Sequence, residues 1–317
     1  MKKVLVTGGA GFIGSHLTEA LVKRGYSVRV LDNFSSGKRD NLKGLINKID
    51  LIRGDIRSLA VCQRAAGGID LIFHQAALRS VPKSLAHPAE YNEVNIQGTL
   101  NLLQAAVKNK AKHFIFASSS SVYGDVKTFP EKEDFVPQPI SPYALTKLTG
   151  EYYCRMFSYH YRLPTVALRY FNVFGPRQSL DDEYAVVIPK FISCMLKNEP
   201  PPIFGTGRQS RDFTYVENVV QANILAAAKT GLKGEVFNIA GGRDYSILEL
   251  VRILNSIMGK KIKPVFLGLR PGDVFRTQAD LTKVRRVLGF QPKVDFISGL
   301  ESSINSQTLI DKQNEGR

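Results

Sequence analysis

The sequence lacks tryptophan and contains only three cysteines among its 317 residues. Cys62, Cys154 and Cys194 are odd in number, lie far apart and sit in apolar or helical surroundings, so we expect reduced core thiols and neither disulfides nor a metal site. The chain also has no run of about 18 apolar residues, and its first apolar stretch leads directly into glycines instead of a small-residue cleavage site. These features argue against a membrane span and a signal peptide, and they predict a cytoplasmic protein.

Acidic residues are comparatively scarce, since 28 Asp and Glu face 43 Lys and Arg, which gives a formal charge of +15. Such an excess suits a nucleic-acid binder or a protein that attracts anionic ligands. The basic residues are nevertheless dispersed over the whole chain, and no nucleic-acid-binding motif with interleaved aromatics accompanies them. We therefore expect a solvated basic surface and no nucleic-acid partner.

Six short, mostly β-branched apolar runs alternate with stretches of helical periodicity such as SHLTEALVKRG and NIQGTLNLLQAAVKN. Strands alternating with helices of this length predict βαβ units and an α/β fold with a doubly wound parallel sheet. A chain of 317 residues also exceeds a typical single domain, which favours one large unit with an appended lobe. The predicted strands cover residues 3–8, 27–32, 49–54, 69–76, 112–119 and 163–170.

The alternation weakens after Tyr170, where a proline run at 200–202 and the glycine-rich FGTGRQ segment appear. We therefore predict a first domain over 1–170 and a smaller lobe mainly over 171–317. A segment around 212–240, which contains the helical stretch VENVVQANILAAAK, is predicted to return to the first domain.

The run VTGGAGFIGSHL places Gly8, Gly11 and Gly14 directly after the first strand and at the start of a helix. Glycines there permit a tight turn and close backbone approach, and the helix N-terminus can face a pyrophosphate. The second strand ends at Asp32, 18 residues beyond Gly14. A carboxylate there accepts hydrogen bonds from a ribose diol and repels a 2′-phosphate, which favours NAD over NADP, although the basic pair at 38–39 points the other way.

The glycine spacing resembles that of the extended short-chain dehydrogenase/reductase family. Asp55 and Ile56 after the third strand, HQAAL at 74–78 and Asn95 in NIQGT are similar to further positions of that family. The resemblance implies a Rossmann-type sheet with a smaller C-terminal substrate-binding lobe, and NAD as cofactor. The cofactor-binding residues that it implies are Gly8, Gly11, Phe12, Ile13, Gly14, Asp32, Asn33, Ser36, Gly37, Asp55, Ile56, Gln75, Ala76, Ala77, Arg79, Asn95, Ser118, Tyr143, Lys147 and Tyr170.

The stretch SPYALTK at 141–147 places a tyrosine and a lysine four residues apart. Ser141 can cap a helix and Pro142 can occupy its first turn, so Tyr143 and Lys147 share one helical face. Lowering a free phenol pKa from near 10 to neutrality requires roughly 4 kcal/mol. A unit charge about 4 Å away supplies on the order of 4 kcal/mol at an effective dielectric near 20. Lys147 is therefore predicted to be sufficient to activate Tyr143.

The resemblance makes Ser119, Tyr143 and Lys147 the catalytic residues. Tyr143 would take a hydroxyl proton from a sugar while Ser119, within SSSSVYG, hydrogen-bonds the same oxygen and hydride passes to the nicotinamide. Dehydratases of the family carry an Asp-Glu pair beside this serine and decarboxylating relatives carry a Glu, whereas this chain has Ser120 and Ser121. With no additional acid, the simplest outcome is return of hydride to the opposite face of the ketone, which is epimerisation.

Three later segments, RYFNVFGPRQ, FGTGRQSRDF and RPGDVFRTQAD, resemble the nucleotide-sugar epimerases of the family in order. The resemblance implies that Tyr170 reaches toward the nicotinamide, that Asn172, Arg211 and Arg270 contact the diphosphate, and that Asp273 binds the uridine ribose. The substrate that it implies is a UDP-sugar. Arginine suits diphosphate recognition because its planar fork pairs with two phosphate oxygens. The implied substrate residues are Ser80, Ser119, Ser120, Ser121, Tyr143, Asn172, Val187, Arg211, Arg270, Asp273 and Thr277.

The small Thr277 stands four residues after Asp273, where some UDP-glucose 4-epimerases carry a bulky tyrosine. A small residue enlarges the pocket and predicts that N-acetylhexosamines are admitted. The loop ALRSVPKS at 77–84 resembles that of UDP-N-acetylglucosamine 4-epimerases, although Arg79 departs from the small residue expected there. It coincides instead with a cofactor-contacting lysine of ordinary galactose epimerases.

The sequence thus predicts an NAD-dependent UDP-hexose 4-epimerase, acting first on UDP-N-acetylglucosamine and UDP-N-acetylgalactosamine and second on UDP-glucose and UDP-galactose. NAD is expected to stay tightly bound and to be recycled in each turnover, and the family resemblance implies a homodimer. One alternative is a UDP-glucuronate 4-epimerase, which Arg79 favours and Asn172 disfavours. Another is a non-catalytic NAD-binding scaffold or RNA-associated protein, against which the intact catalytic residues argue.

Overall fold

A computed structural model of the chain describes residues 2–179, 187–268 and 274–315. Seven parallel strands form its central sheet, in the spatial order β11-β6-β5-β4-β1-β2-β3. The six strands predicted from the sequence are all present, and a seventh, β11, was not predicted. The sheet strands are β1 (Lys3–Thr7), β2 (Ser27–Asp32), β3 (Ile49–Arg53), β4 (Leu71–His74), β5 (His113–Ser119), β6 (Thr165–Tyr170) and β11 (Glu235–Ile239).

The central strands are buried on both faces, as a parallel sheet covered by helices requires. Successive residues alternate between two cores because side chains on a strand point to opposite faces. Val4 and Val6 of β1 join one core, whereas Leu5 between them joins the other. Phe114 and Phe116 of β5 lie in the second core. The continuous apolar runs in the sequence thus reflect two-sided burial.

Helices flank this sheet, and the predicted helix over 95–109 divides between a π-helix at Asn92–Gln97 and an α-helix. Two 3-10 helices span Arg39–Lys48 and Ser120–Tyr123. No helix within the described ranges is long and apolar enough to cross a membrane. The α-helices are α1 (Phe12–Lys23), α2 (Leu59–Ala66), α3 (Val81–Ala86), α4 (Pro88–Tyr91), α5 (Gly98–Lys108), α6 (Pro142–Tyr161), α7 (Val187–Leu196), α8 (Val216–Ala228), α9 (Ile247–Met258), α10 (Thr282–Leu288) and α11 (Phe296–Glu315).

The later segments build a third core outside the sheet, in which the rings of Phe213 and Phe296 stack with centroids 5.2 Å apart. Helix α8 and strand β11 belong to this later part of the chain but contact the central sheet. Helix α8 packs against α1 and β5, and β11 pairs with β6 from Glu235–Val166 to Ile239–Tyr170. The division of the chain into two domains at Tyr170 stays a prediction. Three two-stranded sheets complete the fold: β7 (Val173–Phe174) with β10 (Thr214–Tyr215), β8 (Pro202–Phe204) with β13 (Val265–Leu267), and β9 (Ser210–Asp212) with β12 (Asp244–Ser246).

Candidate active site

A cavity of about 1130 Å³ lies at the carboxyl ends of the central strands, where the strand order changes direction between β1 and β4. This switch point is where open α/β sheets bind ligands. Arg270 and Asp273 lie outside the described residues. The cavity is lined by these predicted residues: Gly8, Gly11, Phe12, Ile13, Gly14, Asp32, Asn33, Ser36, Gly37, Asp55, Ile56, Gln75, Ala76, Ala77, Arg79, Ser80, Ser118, Ser119, Ser120, Ser121, Tyr143, Lys147, Tyr170, Asn172, Val187, Arg211 and Thr277.

The turn between β1 and α1 has room only for glycine at two positions. A Cβ on Gly14 would stand 2.0 Å from the carbonyl oxygen of Gly8, and Gly8 itself has φ +67°. A Cβ on Gly8 would also meet the Cα of Ala76 at 2.8 Å, so the turn lies directly against the end of β4. No side chain caps the start of α1 at Gly11. The first amides of α1 are therefore available to a diphosphate, which fits a dinucleotide at this turn.

Replacing Gly14 by alanine tests this turn. We expect loss of the bound dinucleotide and a lower midpoint of thermal unfolding, because the added methyl group overlaps a backbone oxygen at 2.0 Å that no side-chain movement can relieve. Gly44→Ala is the matched control, since nothing lies within 4 Å of a Cβ there. Cofactor content is read from the absorbance of the released nucleotide and stability from the unfolding curve. Equal cofactor content in the two variants would contradict the assignment.

Asp32 is fixed at the end of β2 by two backbone donors. Its Oδ2 accepts from the amide of Ala10 at 2.9 Å, and its Oδ1 accepts from the amide of Phe34 at 2.8 Å. Burial raises the pKa of this carboxyl, whereas the two amides lower it. The basic neighbour Arg39 places its guanidinium over the ring of Phe34, 5.4 Å from the centroid. The carboxylate is therefore held in place at the position predicted for the ribose diol.

Asp55 lies at the same end of the cavity and is engaged by its neighbours. It accepts hydrogen bonds from Nδ2 of Asn33 at 3.0 Å and from the guanidinium of Arg57 at 2.9 Å. Arg57 holds the pKa of Asp55 at about 2. This carboxyl is thus ionised at neutral pH and positioned beside Ile56, which the resemblance also implied as a cofactor-binding residue.

The predicted catalytic residues meet at the opposite end of the cavity. The hydroxyl of Ser141 caps α6 by accepting from the amide of Ala144 at 3.2 Å. This start places Lys147 in the core, where its Nζ donates to the carbonyl of Ala117 at 2.7 Å and lies 6.0 Å from the ring centroid of Tyr143. Ser119, at the end of β5, hydrogen-bonds the half-buried Tyr143. A serine, a phenol and an ammonium thus converge from β5 and α6.

The pKa of Tyr143 is raised in this structure, because burial disfavours the phenolate, while the hydrogen bond with Ser119 and the charge of Arg79 lower it. Burial also lowers the pKa of Lys147 to about 7. Burial therefore opposes the activation of Tyr143 that was predicted from Lys147, because that prediction treated the lysine as a full charge close to the hydroxyl. Desolvation disfavours the charged form of Lys147, on which the predicted activation of Tyr143 depends.

Asn172 and Thr277 interact with each other on the wall of the cavity. Asn172 has φ +34°, a conformation that asparagine tolerates better than most residues. Its Nδ2 donates to Oγ1 of Thr277 and to the carbonyl of Asp212, both at 3.0 Å. Thr277 is buried, and its hydroxyl fixes the side chain of Asn172. Its small size alone did not suggest this second role.

The strand that carries Arg211 is anchored by its neighbour Asp212. The carboxylate of Asp212 accepts from the amides of Gly241, Gly242 and Ala279 at 2.9–3.2 Å. The side chain of Arg211 reaches the cavity and donates to the carbonyl of Ser210 at 2.9 Å. Asp212 thereby joins its own strand, the turn at 241–242 and the stretch that contains Ala279 behind the cavity wall.

Asn95 alone among the predicted residues that the structure describes does not line the cavity. Its amide instead exchanges hydrogen bonds with the backbone of Leu78, at 2.8 and 2.9 Å, and donates to Oγ1 of Thr146 at 3.0 Å. The assignment of Asn95 as a direct cofactor contact stays a prediction, and in this structure its amide is engaged by protein atoms. Its hydrogen-bonding capacity is used to hold the loop after β4 against α6.

Two supporting residues were missed from the sequence. Glu151 accepts from Oγ of Ser118 at 2.5 Å and forms a buried ion pair with Arg169 at 2.8 Å. Asn223 on α8 donates to the hydroxyl of Tyr170 at 2.8 Å. A signal existed for each, because Glu151 follows Lys147 by four residues on the same helical face and Asn223 interrupts an apolar helix.

Residues 4–240 match the NAD dependent epimerase/dehydratase family. The chain belongs to this family. The match and the similar solved structures confirm three predictions: the family, the α/β fold class and an NAD-dependent enzyme. NAD is the cofactor of this site. The glycine turn and the fixed carboxylate of Asp32 agree with that cofactor.

Several solved structures are similar to this chain over nearly its full length. The UDP-N-acetylglucosamine 4-epimerase of Methanobrevibacter ruminantium M1, in complex with UDP-N-acetylmuramic acid, is 41% identical with a TM-score of 0.93, covering 98% of this chain and 99% of that one. The UDP-glucose 4-epimerase of Thermotoga maritima with UDP-glucose is 40% identical with a TM-score of 0.93, covering 97% and 99%. The UDP-glucuronic acid 4-epimerase of Bacillus cereus, in complex with UDP-glucuronic acid and NAD, is 37% identical with a TM-score of 0.89, covering 97% and 99%.

Proposed function

We propose that the protein interconverts UDP-hexoses that differ in configuration at the sugar C4. The observation that carries this proposal is the cavity itself, which brings Ser119, Tyr143 and Lys147 together on the wall of the space that also holds the cofactor turn. The positions beside Ser119 that hold acids in dehydratases are Ser120 and Ser121, so the site offers no carboxylate there for elimination. The simplest chemistry of such a site is reversible oxidation of one hydroxyl.

Tyr143, Ser119, Lys147 and Tyr170 have separate roles in the proposed reaction. Tyr143 removes the proton of the sugar 4-hydroxyl and later returns it, while Ser119 hydrogen-bonds the same oxygen. NAD, when bound, accepts the C4 hydride and gives it back, so it is recycled within each turnover. Lys147 donates to the carbonyl of Ala117, and this bond fixes its ammonium 6.0 Å from the centroid of the Tyr143 ring. Tyr170, oriented by Asn223, lines the cavity.

Epimerisation also requires the keto sugar to present its other face before hydride returns. The diphosphate must therefore remain bound while the sugar turns. We assign this anchoring to Asn172 and Arg211, which lie on the cavity wall, and to Arg270, which the sequence resemblance adds. Asn172 is held by Thr277 and by the carbonyl of Asp212, so it provides a rigid part of the anchor.

We propose UDP-N-acetylglucosamine and UDP-N-acetylgalactosamine as the first substrates, and UDP-glucose and UDP-galactose as the second. Support comes from the small buried Thr277 and from the serines at 119–121 that line the cavity. The similarity to the Methanobrevibacter ruminantium enzyme agrees with this order. The direct test incubates the purified protein with a panel of UDP-sugars and follows the anomeric proton signals. Turnover of UDP-glucuronate alone would contradict the order.

Replacing Thr277 by tyrosine tests the acetamido preference. We expect the ratio of kcat/KM for N-acetylated over non-acetylated substrate to fall by about 10- to 100-fold, since a misfitting group in a pocket changes discrimination by roughly 1–3 kcal/mol. The change also removes the hydroxyl that accepts from Asn172. Thr277→Val is therefore the matched control, because it removes the hydroxyl without filling the pocket. A ratio that falls equally in both variants would contradict the pocket-size argument.

A UDP-glucuronate 4-epimerase is the second candidate function. It is favoured by Arg79, an exposed cation on the cavity wall that could pair with a C6 carboxylate, and by the similarity to the Bacillus cereus enzyme. Asn172 disfavours it, because the counterpart in those enzymes is typically threonine. The same panel of UDP-sugars separates the two candidates.

We further propose that a second copy of the chain covers the outer face of α6. Leu145, Tyr152, Met156 and Tyr159 form a stripe at helical spacing there, and each side chain is 40–77% exposed. An apolar stripe of this kind on a catalytic helix suits an interface between identical subunits. Light scattering of the intact protein should give twice the mass of one chain, and Tyr152→Glu combined with Tyr159→Glu should reduce it to one.

A further inference from the structure

A buried histidine, His74, is the last residue of β4 and does not line the cavity. Its Nδ1 lies 2.8 Å from the hydroxyl oxygen of Thr7 on β1, and its Nε2 lies 2.9 Å from the hydroxyl oxygen of Thr99 on α5. Thr7 directly precedes Gly8 of the cofactor turn. The imidazole therefore connects the strand that leads into this turn with a helix that flanks the sheet.

The hydroxyls on either side of His74 decide which of its ring nitrogens carries the hydrogen. Thr99 donates from Oγ1 to the carbonyl of Asn95 at 2.6 Å. A hydroxyl has a single hydrogen, so Thr99 can only accept from Nε2 of His74. Nδ1 is then the unprotonated nitrogen and accepts from Thr7, whose Oγ1 in turn accepts from the amide of Ala76 at 3.3 Å. These contacts select the neutral tautomer with hydrogen on Nε2.

The surroundings of His74 keep the ring neutral. The rings of Phe114 and Phe116 pack against the imidazole, with centroids 5.8 and 5.7 Å away. The ring of Phe116 also lies 5.1 Å from Nζ of Lys147. Burial lowers the pKa of His74 to about 3, and the charge of Lys147 lowers it further. The imidazole therefore keeps one donor and one acceptor nitrogen at neutral pH.

The hydrogen bonds continue from Asn95 to the helix that carries Tyr143. Asn95 lies in the π-helix, a rare local structure that is frequent at functional sites, and its Nδ2 donates to Oγ1 of Thr146 at 3.0 Å. Thr146 in turn donates to the carbonyl of Tyr143 at 2.7 Å. Each of the side chains that form these bonds is at most 3% exposed, so water does not compete for them. The histidine network consists of the side chains of Thr7, His74, Thr99, Asn95 and Thr146.

We propose that His74, as the tautomer with hydrogen on Nε2, is a positioning residue that holds the cofactor turn and Tyr143 at a fixed separation through the histidine network. This role rests on the proposed function, because hydride and proton must leave the same carbon and its hydroxyl. His74 acts through Thr7 and Thr99 and not by contact with the ligands. A displacement of about 1 Å between reacting groups can cost on the order of 10²-fold in rate, so a rigid connection of this kind affects catalysis.

Removing the hydroxyl of Thr99 tests the network. Thr99→Val keeps the shape of the side chain but leaves Nε2 of His74 and the carbonyl of Asn95 without this partner. We expect kcat per bound NAD to fall by on the order of 10²-fold with KM within about twofold, because the reacting groups are displaced while the substrate contacts remain. Thr99→Ser retains the hydroxyl and should restore most of the rate.

Thr149→Val is the matched control. Thr149 also donates to the carbonyl four residues earlier, that of Leu145 at 2.9 Å, but on the exposed side of α6. Its kcat should stay within about twofold of the unchanged protein. Division by bound nucleotide separates a slower reaction from a loss of folded protein or of cofactor. Equal kcat per bound NAD in Thr99→Val and Thr149→Val would overturn the proposal, and so would equal losses in Thr99→Val and Thr99→Ser.

The tautomer of His74 is measured on the unchanged protein with its cofactor, so this test does not depend on the folding of Thr99→Val. Nuclear magnetic resonance of protein labelled with ¹⁵N in its histidine rings shows which nitrogen carries hydrogen. The His74 signal is assigned by elimination, with variants of the other four of the five histidines. We expect hydrogen on Nε2 and none on Nδ1 at pH 7. Hydrogen on Nδ1, alone or together with Nε2, would overturn the proposal.

Failure of this inference differs from failure of the proposed function. Normal kcat per bound NAD in Thr99→Val, in a protein that turns over UDP-sugars, removes the role of His74 alone. Absence of all UDP-sugar turnover in the unchanged protein removes the proposed function and the positioning role that rests on it. The ring spectrum decides the direction of the hydrogen bonds in either case.

Discussion

Tyr143→Phe is expected to lower the turnover of UDP-sugars by about 10²- to 10⁴-fold, which is the range that a positioned acid-base group contributes. The phenyl ring fills the same space, so the fold and the cofactor content should be unchanged. Only the hydroxyl that exchanges a proton with the sugar is removed. Initial rates with saturating substrate and the nucleotide content of the purified variant are the two measurements.

Tyr153→Phe is the matched control, because it removes a phenol from the same helix outside the cavity. Its activity should stay within about twofold of the unchanged protein, since no charged or reacting group depends on it. Normal turnover in Tyr143→Phe would show that this residue is not the base. Such a result would also favour the alternative named in the sequence analysis, an NAD-binding scaffold that catalyses no reaction at this site.

Glu151→Gln is expected to lower the free energy of unfolding by about 3–5 kcal/mol, because it leaves Arg169 as a buried cation without its partner. Both side chains are 3% exposed, and the carboxylate accepts from Nε and Nη2 of Arg169 at 2.8 Å each. It also accepts from Ser118, which directly precedes the catalytic serine. Urea denaturation of the purified protein measures the change.

An exposed ion pair provides the comparison. Asp125 and Lys127 form one in the loop after β5, with side chains 46% and 80% exposed, and Asp125→Asn should cost no more than about 1 kcal/mol. In the double variant Glu151→Gln with Arg169→Met, part of the lost stability should return because the unpaired charge is gone. A cost for Glu151→Gln as small as that for Asp125→Asn would contradict this account of the core.

The parts of the fold that were predicted correctly depend on local sequence. The six strands appear as apolar runs because the sheet is covered on both faces, and Gly8 and Gly14 mark the cofactor turn because a side chain would collide with backbone there. The strand β11 was missed because its five residues, EVFNI, include the polar Glu235 and Asn238 and therefore form no continuous apolar run.

The unpredicted features of the site concern burial and three-dimensional contact. The spacing of Tyr143 and Lys147 was informative about their shared face, but the lowered pKa of Lys147 depends on how deeply the fold encloses it. Asn95 was recognised as a site residue, yet only the structure shows its amide used on Leu78 and Thr146. Glu151 was missed because its partner Arg169 lies on β6, which the helix spacing alone could not indicate.

We propose that the site oxidises and then reduces one sugar carbon with an NAD molecule that stays bound throughout. The most direct measurement gives the purified protein, without added NAD, either UDP-N-acetylglucosamine or UDP-N-acetylgalactosamine and follows the anomeric protons until they stop changing. We expect both starting compounds to reach the same mixture of the two epimers, with no other product. Formation of a dehydrated or decarboxylated sugar, or no change in these or any other UDP-hexose, would contradict it.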